Sequence, residues 1–222
     1  MNIEGVIFDM DGVLVDTAKY HFQSWQQVAL ELGINLDSEV KDGIKGLNRM
    51  DSLALILEKA DITLDNRKKK ELMDMKNSIF LDSLPSSPAD IILKGVLPLI
   101  EHLKNKSIPM AVASSSKNAH HILHRTKLSG HFKSILDSTN TLRSKPHPEV
   151  FINSARNLQL PEQACLIIED GFNGVQAAKK ASFYVLGIGD TTILKEADMV
   201  LDSLDGFQLG LFEDYIGRQT DD

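Results

Sequence analysis

The sequence has a single cysteine and no hydrophobic run of membrane-spanning length. Because Cys165 has no second cysteine to pair with, no disulfide forms within the chain, and its apolar neighbours predict a packed thiol. The first apolar stretch ends at Phe8, before two aspartates, which is unlike a secretion signal. A membrane-spanning helix needs about 20 apolar residues, and no run approaches that length. We therefore expect a cytoplasmic protein with no membrane partner.

Positive charge is in deficit as well. The chain has 24 basic and 31 acidic residues, giving a formal charge of −7, which disfavours nucleic acid as a partner. The one basic run, residues 67–70 (RKKK), is typical of a solvated helix face. With 222 residues, 42% of them hydrophobic, the chain is long enough for one large or two small domains with a substantial core.

The spacing of apolar residues predicts an asymmetric layout. A strand at residues 5–8 precedes a helix-rich stretch over about residues 17–84, in which Phe22, Trp25 and Ala29 mark one buried helical face. Residues 85–88 (PSSP) predict a linker. From about residue 95 onward helices alternate with strands, and no regular element is predicted after Ile188. The predicted strands there are residues 108–113, 134–136, 165–168 and 184–188.

This alternation predicts an α/β fold, with a Rossmann-like parallel sheet covered on both faces. Because the helical stretch directly follows the first strand, we expect it to form an inserted small α-helical cap over the carboxyl edge of the sheet. The predicted bounds are residues 1–15 and 93–222 for the core and residues 16–92 for the cap. The two crossings, near Val15 and near Pro88, would allow the cap to close.

Four short segments supply the groups that phosphoryl transfer requires. Residues 6–13 (VIFDMDGV) end an apolar run in two carboxylates, and the other segments are residues 112–114 (VAS), 144–146 (SKP) and 167–171 (IIEDG). Ligands of such sheets lie beyond the carboxyl ends of the strands, where several of these side chains fall. A phosphoryl site needs a nucleophile, a metal, a hydroxyl and a fixed cation, and the four segments contain candidates for each.

The carboxylates can be given distinct roles. We predict Asp9 as the nucleophile and Asp11 as the general acid and base, a role that requires a raised Asp11 pKa. Ser114 would donate a hydrogen bond to a phosphoryl oxygen, and Lys145 would place positive charge beside it. Since clustered carboxylates repel one another without a cation, the sequence predicts Mg²⁺. The predicted metal ligands are Asp9, Asp11, Glu169 and Asp170.

Each segment also has an ordinary interpretation. Asp-x-Asp-Gly is common in turns, and a serine after a strand commonly caps the next helix. Lys-Pro and Glu-Asp-Gly occur in many surface loops. The order of the four segments, each near a predicted sheet edge, favours the catalytic interpretation.

In these four motifs the chain resembles the haloacid dehalogenase superfamily of phosphotransferases over essentially its whole length. Further segments resemble the β-phosphoglucomutases of that superfamily: residues 16–25 (DTAKYHFQSW), 45–49 (KGLNR), 76–77 (KN) and 114–118 (SSSKN). The resemblance implies interconversion of β-D-glucose 1-phosphate and glucose 6-phosphate. The phosphoryl group would rest on Asp9, and the intermediate would be the 1,6-bisphosphate.

A mutase must hold a second phosphate while the first one reacts. Arg49 of the cap could grip that phosphate bidentately, and residues 116–118 (SKN) could hold it from the core. The ordinary alternatives are a solvated arginine and a plain helix cap, and Trp25 also fits core packing. The resemblance implies these substrate-binding residues: Thr17, His21, Trp25, Gly46, Leu47, Asn48, Arg49, Lys76, Ser115, Ser116, Lys117 and Asn118. Asn48 departs from the small hydroxyl residue usual there.

Three functions remain open at this point. The first is a β-phosphoglucomutase, the second a sugar-phosphate phosphatase of the same superfamily, and the third a non-catalytic sugar-phosphate binder. All three take a small sugar phosphate as partner, and we expect a monomer.

Overall fold

The computed structural model describes residues 2–220. Within them the strands are β1 (Gly5–Phe8), β2 (Met110–Ala113), β3 (Ser134–Leu136), β4 (Cys165–Glu169), β5 (Tyr184–Ile188) and β6 (Met199–Leu201). They form one sheet of 6 strands in the order β3-β2-β1-β4-β5-β6. Every neighbouring pair is parallel. The strand β1 therefore lies in the middle of the sheet, between β2 and β4.

Helices make up most of the remaining chain. The first four are α1 (Ala18–Leu30), α2 (Ser38–Gly43), α3 (Arg49–Lys59) and α4 (Asn66–Ser83). The others are α5 (Val96–Asn105), α6 (Ala119–Arg125), α7 (Glu149–Leu158), α8 (Phe172–Lys180) and α9 (Leu209–Thr220).

The sheet is buried on both faces. Side chains of a strand point alternately to opposite faces, and in β1 Val6 and Phe8 pack into one hydrophobic cluster while Ile7 packs into another. The first cluster contains residues of α5, α6 and α9, and the second contains residues of α7 and α8. This arrangement confirms the predicted α/β fold with a doubly covered parallel sheet.

The prediction that no regular element follows Ile188 was wrong. Two regular elements follow Ile188, the edge strand β6 and the helix α9. Leu209, Phe212 and Ile216 of α9 are buried in the first cluster, which explains why this helix is ordered.

Helices α1 to α4 share a separate hydrophobic cluster. Trp25, Val28, Leu53, Leu57 and Leu72 are among its buried members. We keep the name cap for residues 16–92 and the name core for the rest, and these bounds stay a prediction.

The two crossings between cap and core lie side by side. Val15 and Ile92 form an antiparallel bridge. The Asp16 amide donates to the Ile91 carbonyl at 2.7 Å, and the Leu93 amide donates to the Leu14 carbonyl at 3.1 Å. The chain thus leaves and re-enters the core at one place.

No helix within residues 2–220 combines the length and the apolar character needed to cross a bilayer.

Candidate active site

The carboxyl ends of the three central strands converge on one site. Asp9 follows β1, Ser114 follows β2, and Glu169 ends β4. Because β1 is hydrogen-bonded to both β2 and β4, these side chains lie together at the edge of the sheet. The Asp9 amide donates to the Ile168 carbonyl at 2.9 Å, which continues the ladder past the end of β1.

A tight turn after Asp9 carries the chain toward the cap. Gly12 has a φ of +90°, and a Cβ atom there would lie 2.1 Å from Asp170 Oδ2. Only glycine fits such a close approach and such a φ without strain. The turn thus allows Asp11 to leave the direction of β1 while Asp170 stays against the backbone.

Lys145 joins the acidic side chains at the centre of the site. Its Nζ lies 2.6 Å from Asp9 Oδ1 and 2.8 Å from Glu169 Oε2, and it donates to the Ala113 carbonyl at 3.1 Å. The side chain is 0% exposed. A buried ammonium group is stable only with such partners, so the loop before α7 is fixed at the sheet edge.

Burial and repulsion from neighbouring carboxylates raise the pKa values of Asp9 and Asp170. Burial, followed by the charge of Glu169, raises the pKa of Asp9 well above its ordinary value, against the opposing charge of Lys145. The same two causes raise the pKa of Asp170 to about 7. Burial alone would lower the pKa of Lys145, but the charges and hydrogen bonds of Asp9 and Glu169 raise it.

Asp11 lies in a different environment, facing the cap. Thr17 Oγ1 donates to Asp11 Oδ1, and His21 Nε2 lies 3.3 Å from that oxygen. Burial acts to raise the pKa of Asp11, but the charge of His21 and the hydrogen bonds from His21 and Thr17 outweigh it and lower the pKa. The expectation of a raised Asp11 pKa was therefore wrong. Thr17 donates to the ionised carboxylate, and His21 lies beside it.

A buried lysine, Lys76, contacts the ring nitrogen of His21 that does not face Asp11. Lys76 Nζ lies 2.5 Å from His21 Nδ1 and 4.7 Å from the centre of the Phe80 ring. Burial, followed by the charge of Arg49, lowers the pKa of Lys76 to about 7. Burial and the charge of Lys76 lower the pKa of His21.

A cavity of about 260 Å³ separates the acidic cluster from the cap helices. The predicted site residues that line it are Asp9, Asp11, His21, Trp25, Gly46, Leu47, Arg49, Lys76, Ser115, Ser116, Lys117 and Asp170. Asn77 of the cap connects two of the predicted phosphate binders. Its Oδ1 accepts from Arg49 Nη2 at 2.6 Å and from Asn118 Nδ2 at 2.9 Å.

Other predicted site residues lie outside the cavity lining. Thr17 contacts Asp11 instead, and the side chain of Asn48 caps α3 by accepting from the Asp51 amide at 2.9 Å. Asn118 is held by Asn77, and Ser114 is buried, with its Oγ accepting from the Ser116 amide at 3.0 Å. The structure thus favours supporting rather than direct roles for Thr17, Asn48 and Asn118.

Sequence reasoning missed several lining residues. Lys41, Phe22 and Ser52 line the cavity, as does Lys45, the first residue of the segment 45–49. Lys45 begins the segment 45–49 that resembles the mutases, so that segment could have indicated it, whereas Lys41 lies in α2, outside every such segment. Phe22 was assigned to the helical core because its apolar spacing gives no sign of the cavity.

The chain matches the family model of the haloacid dehalogenase-like hydrolases over residues 6–188. It belongs to the haloacid dehalogenase-like hydrolase family. A β-phosphoglucomutase of Bacillus subtilis (strain 168) is 35% identical over 201 residues, covering 90% of this chain and 89% of that protein. A phosphorylated carbohydrates phosphatase of Thermotoga maritima is 30% identical over 207 residues, covering 89% and 93%.

The crystal structure of a β-phosphoglucomutase from Clostridium difficile superposes with a TM-score of 0.92 at 32% identity. The superposition covers 99% of this chain and 100% of the Clostridium difficile chain. As a family member, the protein is a phosphotransferase or a phosphatase. The relatives from Bacillus subtilis and Thermotoga maritima include one enzyme of each kind.

Enzymes of the haloacid dehalogenase-like family generally use Mg²⁺. Among the described residues, carboxylate oxygens of Asp9, Glu169 and Asp170 lie within 4.8 Å of one another. Oxygen donors gathered in this way suit a hard divalent cation. Asp11 is outside this group because its carboxylate faces Thr17 and His21. The structure therefore favours a metal site that does not use the Asp11 side chain.

Proposed function

We propose that the protein is a β-phosphoglucomutase that interconverts β-D-glucose 1-phosphate and glucose 6-phosphate. The observation that carries the proposal is a cavity lined by both acidic and basic side chains. Its lining includes the carboxylates of Asp9 and Asp170 and cationic groups from both the cap and the core, Arg49 and Lys117. A substrate with one reacting and one resting phosphate fits such a cavity. The identities to two β-phosphoglucomutases support the same function.

Asp9 and Asp11 have different roles in the proposed reaction. A phosphoryl group rests on Asp9, and the 6-hydroxyl of the sugar attacks its phosphorus. The bond to Asp9 breaks as Asp11 accepts the hydroxyl proton. The ionised state of Asp11, held by Thr17 and His21, suits this step. The bisphosphate then turns around, and Asp9 takes the phosphoryl group from the 1-position while Asp11 returns its proton to the leaving oxygen.

Fixed charge supports the transfer. Lys145 would face the oxygens of the transferring group as negative charge gathers there, and Ser114 would donate to one of them. Asp9, Glu169 and Asp170 would hold Mg²⁺, which supplies neutralising charge for the phosphoryl group.

The test is product analysis by phosphorus NMR. Supplied with β-glucose 1-phosphate, Mg²⁺ and a trace of the bisphosphate, the wild type should form glucose 6-phosphate with no net release of phosphate. Asp9→Ala should abolish turnover while the protein stays folded. Dominant release of inorganic phosphate would instead assign a phosphatase, the second candidate favoured by the carbohydrate phosphatase relative.

A further inference from the structure

One contact between the cap and the core involves residues 43–46, the end of α2 and the loop after it, which we call the cap loop. Asn173, the second residue of α8, donates through Nδ2 to the carbonyls of Gly43 and Lys45, both at 2.9 Å. An amide nitrogen carries two protons, so the cap loop takes both of them. One side chain of the core thereby holds two backbone groups of the cap.

Glycines on both sides of this contact let the two backbones approach closely. Gly46 has a φ of +75°, and a Cβ atom there would lie 3.4 Å from the Gly174 nitrogen. A Cβ atom at Gly171 would lie 3.3 Å from backbone and side-chain atoms of Lys45. The cap loop and the start of α8 therefore have complementary surfaces.

This contact connects the two halves of the active site. On the core side it begins one residue after Asp170, a member of the acidic cluster. On the cap side Ile44, Lys45, Gly46 and Leu47 form part of the cavity wall. Separating the cap loop from α8 would open that wall to water next to Asp9.

We propose that Asn173 is a positioning residue that latches the cap loop to the core, and that this latch favours a sugar hydroxyl over water as the phosphoryl acceptor. The second part rests on the proposed mutase function. In both outcomes the bond between phosphorus and Asp9 breaks and the acceptor's proton passes to Asp11. With the latch closed the acceptor is the sugar, and with it open the acceptor is water, which yields inorganic phosphate.

Two substitutions test the latch. Asn173→Ala removes the amide, and Asn173→Leu removes its donors while keeping the branched shape of the side chain. Asn157→Ala is the control, since Asn157 also donates through its amide, to Ser134 Oγ at 2.8 Å, but within the core. The thermal midpoint of each variant shows whether the fold is retained.

The first measurement needs no turnover. Trp25 is the sole tryptophan of the sequence, it lines the cavity, and it is 2% exposed. Acrylamide quenching of its fluorescence therefore reports whether the cavity opens. Both Asn173 variants should raise the quenching constant above those of the wild type and Asn157→Ala. Equal quenching in all four proteins would overturn the latch, whatever reaction the enzyme catalyses.

The second measurement is the ratio of inorganic phosphate to glucose 6-phosphate formed from β-glucose 1-phosphate. Loss of two amide hydrogen bonds should raise this ratio about tenfold in both Asn173 variants. The ratio of Asn157→Ala should not change. Raised quenching with an unchanged ratio would overturn the link between the latch and water exclusion. A wild type that forms no glucose 6-phosphate would refute the mutase function, while the quenching result would still decide the latch.

Discussion

At the scale of single residues, Lys145 stabilises the acidic cluster most directly. It is fully buried between Asp9 and Glu169, and burial of either carboxylate without a cation is costly. Asp9 therefore depends on a side chain that is distant in sequence but in direct contact with it.

We predict that Lys145→Met lowers the free energy of unfolding by about 3 to 5 kcal/mol, because it leaves buried carboxylates without their partner. Urea denaturation in the presence of a metal chelator measures this loss without replacement by a divalent ion. The control is Lys179→Met, which breaks a pair with Asp198 in which a third (33%) of the Lys179 side chain is exposed. It should cost about 1 kcal/mol or less. Equal losses would contradict the prediction.

The lowered pKa of Lys76 predicts that the free energy of unfolding depends on pH. Its pKa is lowered to about 7 in the folded protein, so above that pH it is neutral when folded but protonated when unfolded. Unfolding then takes up a proton, and this lysine makes the free energy of unfolding rise with pH from about 7 toward its ordinary pKa near 10.4.

Lys76→Met should therefore reduce the slope of unfolding free energy against pH between pH 7.5 and pH 9.5. Urea titrations at several pH values measure the slope. Lys70→Met, at an exposed position of the same helix, should keep the wild-type slope. A slope that is the same in all three proteins would show that Lys76 is protonated in the native state.

The chemistry of single residues was only partly readable from the sequence. Asp9, Lys145, Glu169 and Asp170 each belong to a short motif at a strand end or in a nearby loop, and local pattern sufficed to place them at one edge. The pKa of Asp11 depends on Thr17 and His21, whose contact with it requires the turn and the docked cap. Asn173 has no local signal, because its partners are backbone carbonyls more than a hundred positions away.

At the scale of elements, α9 covers one end of the core. Phe212 is 0% exposed and packs edge-on against Tyr184 of β5, with 6.3 Å between ring centroids. The helix therefore belongs to the core although it lies near the end of the chain.

Phe212→Ala should lower the free energy of unfolding by about 3 to 5 kcal/mol, since it leaves a cavity where a whole ring was packed. The neighbouring Leu211 is 55% exposed, and Leu211→Ala should change stability by no more than about 0.5 kcal/mol. Urea denaturation of the two variants checks the contrast. Similar small losses in both would mean that α9 contributes little to the core.

The central strands and the cap helices were predictable because their apolar periods extend over several residues. The 3 residues of β6 are too few to show a period, and their burial is only partial. Leu209, Phe212 and Ile216 do recur at spacings of three and four, so α9 could have been predicted from the sequence. Which face of the sheet it covers depends on tertiary contacts that no local pattern contains.

At the scale of the whole molecule, most buried apolar residues of the cap share a hydrophobic cluster of their own, although Phe80 of α4 is buried in the core cluster. Leu57 is 3% exposed within the cluster of the cap, while Leu99 is 1% exposed in the core. Separate clusters allow separate unfolding of the two parts.

Leu57→Ala should therefore raise amide hydrogen exchange in α1 to α4 and leave β1 and β4 protected. Leu99→Ala should instead raise exchange throughout the core. Hydrogen-exchange mass spectrometry of both variants measures the two patterns. Equal loss of protection in cap and core with Leu57→Ala would contradict the predicted division at residues 16–92.

The paired crossings at Val15 and Ile92 have a consequence for how such enzymes diversify. Since the inserted segment starts and finishes at hydrogen-bonded neighbours, the sheet beneath it would close equally well around a short turn or a differently shaped insert. Selection could replace the cap without disturbing the acidic residues at the edge of the sheet. Mutases and phosphatases built on one catalytic platform are what such an architecture would produce.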